Sequence, residues 1–137
     1  MKEDFVTYEL AVKLKKKGFK EQCLAYYSKD SDFYYNTSYG SDVENAFKSF
    51  NSRPNHICGK RIDAPTIPQV LKWLREDKKL YIEIWWLTQY TTKNLKGFQF
   101  VVTPICENPQ RETDLELYCD YETAAIKGIE YVIDNLI

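Results

Sequence analysis

The sequence predicts an α+β fold in which three main helices pack mostly on one face of an antiparallel sheet of four to five strands. Three observations carry that expectation. Capped, helix-period apolar stripes occur near both ends and in the middle of the chain. Strand-period alternation runs from Leu80 to Leu87 and again from Phe98 to Thr103. Aromatic residues make up 15% of the sequence, with eleven tyrosines, a composition suited to pleated surfaces. The order reads α-β-β-(α)-α-β-β-α, with two hairpins. At 137 residues the length matches a single domain, 1–137.

The first helix is expected from Tyr8 to Lys17. Thr7 is placed to cap it, Glu9 sits at the positive end of its dipole, and Val6 can staple back onto Ala11. Lys13, Lys15, Lys16 and Lys17 lie where cations are favoured, and Gly18-Phe19 has the pattern of a Schellman stop. Two strands, Cys23–Tyr27 and Phe33–Tyr35, follow as a hairpin around the turn formers Ser28-Lys29-Asp30-Ser31-Asp32. A short helix capped by Ser41 or Asp42 is expected through Phe50, and then an ordered loop from Asn51 to Pro65.

Thr66 and Gln69 have capping-box spacing, with Pro68 in the first turn of a helix whose apolar side is Val70, Leu71, Trp73 and Leu74. The next two strands, paired as a hairpin, should bury Ile82, Ile84, Trp86, Phe98, Phe100 and Val102 on one face. Leu115–Cys119 is a candidate edge strand. Asp120 caps the last helix, where Ala125, Ile129, Val132, Ile133 and Leu136 fall on one stripe. The similar starts Thr7-Tyr8-Glu9 and Asp120-Tyr121-Glu122 follow from capping chemistry and do not indicate a repeat.

Composition narrows the function classes. Nineteen basic and twenty acidic residues give a net charge of −1, which supplies no global field for nucleic acid or anionic membrane. No apolar run is long enough to span a bilayer and no secretory h-region develops after Met1, so a cytoplasmic protein without a membrane partner is expected. Cys23, Cys58, Cys106 and Cys119 form no CxxC pattern and His56 is the only histidine, so no zinc set is expected. The thiols read as buried small hydrophobes, with a Cys106–Cys119 disulfide as the competing expectation in an oxidising compartment.

Asp4-Phe5-Val6-Thr7-Tyr8-Glu9 with Gly18-Phe19, Ala64-Pro65-Thr66 leading into Trp73-Leu74-Arg75-Glu76, and Tyr121-Glu122-x-Ala124 together resemble a group of small uncharacterised proteins. That group is common in Bacteroidetes genomes and their phages and other mobile elements. The resemblance spans both ends and the central helix but not residues 36–62. It implies a cytoplasmic protein of bacterial, phage or mobile-element origin, and carries no activity or functional residue with it.

Candidate sites are few. His56 and Cys58 lie on a Pro-flanked loop near Asp63, the basis of an alternative reading as a small hydrolase-like enzyme with a Cys/His pair. Residues two apart seldom meet as nucleophile and base, so no catalytic residue is assigned and the reading leans away from an enzyme. Glu107, Asp114 and Glu116 lack calcium-loop order, and neither a metal nor a cofactor is called for. A nucleic-acid accessory protein is a second alternative, disfavoured by net charge. It would stack bases on Tyr26, Tyr27, Phe33, Tyr34 and Tyr35 and use Lys13, Lys16, Lys17 and Lys20 as its basic patch.

The leading expectation is a protein-interaction or adaptor domain, binding a protein partner or a second copy. Its face is Tyr81, Trp85, Leu87 and Val101, interrupted by Glu83 and Gln99. That face is either offered outward or closed over a second small core by the 51–66 loop.

Overall fold

The computed structural model describes residues 4–35, 61–89 and 95–137, and the chain divides into two units, Met1–Thr66 and Ile67–Ile137, each with its own antiparallel sheet. In the first unit, α1 (Tyr8–Lys16) starts where expected: the Thr7 hydroxyl accepts a hydrogen bond from the Leu10 N–H at 3.3 Å. It ends in the expected Schellman geometry. Gly18 has φ +92°, the Phe19 N–H donates to the Leu14 carbonyl at 3.0 Å, and the Gly18 N–H donates to Lys15 at 3.2 Å.

Strands β1 (Ala25–Tyr27) and β2 (Phe33–Tyr35) form the first hairpin. The Ser28 hydroxyl accepts from the Asp30 and Asp32 N–H groups, and Ser31 takes φ +64°. The far edge of β1 is taken by β3 (Ile62–Ala64), giving the order β2-β1-β3. This corrects the loop expected from Asn51 to Pro65. Ile62-Asp63-Ala64 is too short, and too closely flanked by Gly59 and Pro65, to announce itself as a strand. Ala25, Tyr27 and Ala64 are buried on the inner face, and α1 packs against β3. The Tyr27 hydroxyl donates to the Val6 carbonyl at 2.6 Å, and the Val6 N–H donates to Pro65 at 3.0 Å. The helix expected between Ser41 and Phe50, and residues 51–60 of the expected loop, lie outside the described residues.

In the second unit, α2 (Ile67–Asp77) buries Ile67, Val70, Trp73 and Leu74, and half-buries Leu71. Lys79, at φ +57°, turns the chain into β4 (Leu80–Gln89), which pairs residue for residue with β5 (Leu95–Pro104). The final helix α3 (Tyr121–Asn135) is capped by Asp120, whose carboxylate accepts from the Thr123 N–H at 2.6 Å. Helix α2 packs on β4, α3 lies across β5 and β4, and the two helices touch. Gly128 permits the close approach of α3, since a Cβ there would sit 3.0 Å from both Ile82 Cγ2 and Phe100 Cβ.

The α+β class, the antiparallel pairing and the three helices among the described residues are as expected. The single sheet of four to five strands is not. Three-residue strands and ten-residue strands form separate sheets of three and two strands, in the orders β2-β1-β3 and β4-β5.

The expected edge strand at Leu115–Cys119 is also different. Two isolated bridges, Phe98 with Tyr118 and Val102 with Glu112, hold this segment to β5. Six steps of chain between Glu112 and Tyr118 span four steps of β5, so the segment must arch outward. Leu115 sits on that arch at φ +65° and 79% exposed. Side-chain acceptors fix the arch: Thr113 takes the Leu115 N–H, and Asp114 takes the Glu116 N–H and the Tyr118 hydroxyl.

Candidate protein-interaction surface

The register of β4 and β5 sorts the hairpin's side chains without ambiguity. Tyr81, Glu83, Trp85 and Leu87 share one face with Thr103, Val101, Gln99 and Gly97, and the even-numbered residues share the other. The expected partner face is therefore one face, but it is not uniformly offered. Tyr81 is 41% and Trp85 37% exposed, Leu87 is half-buried, and Val101 is buried at 4%. Val101 belongs to the core, a correction to its place on the partner face. Trp85 is held in position: its indole N–H donates to a Glu83 carboxylate oxygen at 3.1 Å, and the Arg111 guanidinium lies 5.5 Å from its ring centre.

The opposite face holds a site that alternation alone concealed. Trp86, expected in the core, is 55% exposed, and Ile84 and Phe98 are only half-buried. The reason is length. Ten-residue strands extend roughly 33 Å, whereas the fifteen-residue α3 covers roughly 22 Å. The helix caps the Ile82–Phe100 end and leaves the Trp86–Phe98 end beyond it. There Trp86 meets Phe98 edge to face at 4.9 Å, and Phe98 meets the exposed Tyr121 at 6.3 Å.

The backbone completes the surface. Phe98 exchanges hydrogen bonds with Tyr118 (2.8 and 2.7 Å) and Val102 with Glu112 (both 2.8 Å), so even-numbered residues of β5 turn their backbone groups away from β4. In an antiparallel ladder their partners do the same on the other side. The N–H and C=O groups of Ile82, Ile84, Trp86 and Thr88 therefore point outward along the far edge of β4. Among the described residues no strand pairs with that edge. The alternating pattern located the strands, but only the bridges on the far side of β5 reveal which backbone groups are left over.

The other expected sites are not assembled in the same way. In the first unit Tyr27 is buried and Phe33 packs against Phe5 at 5.1 Å, which removes both from any stacking platform. Tyr26 and Tyr34 do share the outer face, stacked at 5.6 Å with the Arg61 guanidinium 4.3 Å from the Tyr26 ring. Lys16, Lys17 and Lys20 are exposed and Lys13 half-buried at the end of α1, where they complement its dipole.

His56 and Cys58 lie outside the described residues. Cys23 is buried, and burial followed by the nearby Asp63 and Glu21 charges pushes its thiol well above the usual range, which suppresses nucleophilicity. Cys106 and Cys119 are exposed free thiols, which corrects both the buried-thiol reading and the disulfide expected between them. They lie on surface turns of the 105–120 segment rather than in an element with a core face. Among the described residues no group of three or more His, Cys, Asp or Glu could hold a metal, and no helix is long and apolar enough to cross a membrane. Glu107, Asp114 and Glu116 form no such group, and the Asp114 carboxylate instead accepts from the Glu116 N–H at 3.0 Å, bracing the arch.

No family model, curated protein or solved structure matches the chain.

Proposed function

We propose that this chain is a non-enzymatic protein-interaction domain of the cytoplasm, bacterial or phage-encoded, that binds by adding an extended segment to the outer edge of β4. The observation that carries the reading is the outward row of backbone groups at Ile82, Ile84, Trp86 and Thr88, flanked by exposed Trp86 on one face and Tyr81 and Trp85 on the other. Strand addition takes affinity from such backbone groups and specificity from the alternating side chains beside them.

Selection of displayed ten-residue peptides on the purified protein tests this. Bound peptides should alternate in polarity and lose about tenfold or more in affinity with Thr88→Pro, which deletes an outward N–H without touching the β4–β5 ladder. Failure to recover any binder, or binders indifferent to both Thr88→Pro and Trp86→Ala, contradicts the proposal.

A second reading, nucleic-acid binding, draws on the Tyr26–Tyr34 stack and its Arg61 partner. It requires a salt-dependent mobility shift with single-stranded RNA or DNA that Tyr34→Ala abolishes. No shift at low salt ends it.

A further inference from the structure

We infer that the segment received by the β4 edge is β4 of a second copy of this chain, so that the domain pairs strand to strand about a two-fold axis. The inference rests on the reading of that edge as the docking element. A strand related to itself by a two-fold axis runs antiparallel to its copy, and the same groups meet on both sides. The outward groups all belong to even-numbered residues, so hydrogen bonding across the axis can only match even with even.

Charge then narrows the register. Glu83 is the one charged residue between Leu80 and Gln89. An axis at Glu83 would oppose two carboxylates directly, which is unfavourable. An axis at Trp85 would set Glu83 against the partner's Leu87. An axis at Ile84 sets Ile84 against its own copy, Ile82 against the partner's Trp86, and Leu80 against the partner's Thr88. It also places Glu83 opposite the partner's Trp85, an indole N–H of the kind this carboxylate already accepts within its own strand. This register leaves no charge facing its like and covers exposed tryptophan on both faces.

The pairing also extends the sheet of the second unit, a two-stranded hairpin that α2 and α3 stabilise by packing on it. Joining two copies gives a four-stranded sheet in the order β5-β4-β4-β5.

Sedimentation equilibrium of the whole chain from micromolar to millimolar concentration tests the inference, together with residue-resolved amide exchange at both ends of that range. The expected result is a monomer–dimer equilibrium, weakened about tenfold or more by Thr88→Pro, which removes one donor per copy. The Ile82, Ile84 and Trp86 amides should become protected as concentration rises. Trp86→Lys, a surface change, provides a second variant and should weaken the dimer comparably. A monomer throughout the range that still binds displayed peptides at this edge overturns the self-pairing and leaves the strand-addition reading standing. A monomer that binds no peptide overturns both. A dimer indifferent to both variants, with unchanged amide protection, places the contact elsewhere and overturns the inference.

Discussion

Trp86 and Phe98 stand directly opposite each other across the β4–β5 hairpin, their rings 4.9 Å apart at 62°, and Trp86 nevertheless leaves more than half its surface in water. Phe100, one pair further along the same face, is fully buried beneath α3. The hairpin thus passes from core to open surface within two residues of one strand.

That gradient sets a contrast in stability. Phe100→Ala should cost about 3–5 kcal/mol, because it empties a site that cannot collapse. Trp86→Ala should cost only about 1 kcal/mol, the worth of one aromatic pair, while weakening partner binding. Urea unfolding of the two variants measures both costs. Equal losses would mean that Trp86 is a core residue.

Gly128→Ala poses two effects against each other. Alanine gains up to about 1 kcal/mol in helix propensity. Its Cβ, however, would lie within 3.1 Å of Ile82 Cγ2 and two atoms of Phe100, side chains with no free space. Overpacking of that kind costs about 1–3 kcal/mol, so the variant should be less stable by about 1 kcal/mol on thermal unfolding. A rise in melting temperature would show that α3 can move away from the hairpin.

Leu115 occupies a left-handed conformation that disfavours leucine by roughly 1 kcal/mol, and it contributes little burial in return. Leu115→Asn, which tolerates that conformation, should leave stability unchanged or raise it by up to about 1 kcal/mol. A clear loss in urea unfolding would reveal packing by Leu115 that its exposure denies.

Burial raises the Asp63 carboxyl above its ordinary range, against a smaller opposing pull from Lys15. A carboxyl with a raised folded-state pKa binds its proton more tightly when folded, so its contribution to stability is present below the unfolded pKa and lost as pH rises through the folded one. Stability should therefore increase as pH falls from neutral into the carboxylate range, and Asp63→Asn should flatten this dependence. Melting curves across that interval decide it; an unchanged slope in the variant assigns the effect to other groups.

Thiol labelling separates the cysteines. Cys106 and Cys119 should alkylate in the folded protein, whereas Cys23, buried with its thiol pushed upward, should react only on unfolding. Rapid labelling of Cys23 in the native state would contradict its burial.

The helices were legible because their ends are chemical. Thr7, Gly18-Phe19 and Asp120 each satisfy orphan backbone groups by a local mechanism that sequence displays directly. The long strands were legible from alternation. What alternation cannot supply is the extent of the covering layer, so it buried Trp86 and exposed Val101 when the reverse holds. Strand β3 was missed because its partner, β1, lies more than thirty residues away and its own three residues carry no period. The arch at Leu115 was missed because it arises from unequal chain lengths between two bridges, a property of pairing rather than of residue type. The docking edge was missed for the same reason, since its outward groups are identified by the hydrogen bonds on the far side of β5.

The most direct measurement of the account is residue-resolved amide exchange along β4 in dilute protein. Tyr81, Glu83, Trp85 and Leu87, paired inward with β5, should be protected, and Ile82, Ile84, Trp86 and Thr88 should exchange much faster, in strict alternation. Equal protection of both sets would mean that the edge is already occupied and would contradict the proposed mode of binding.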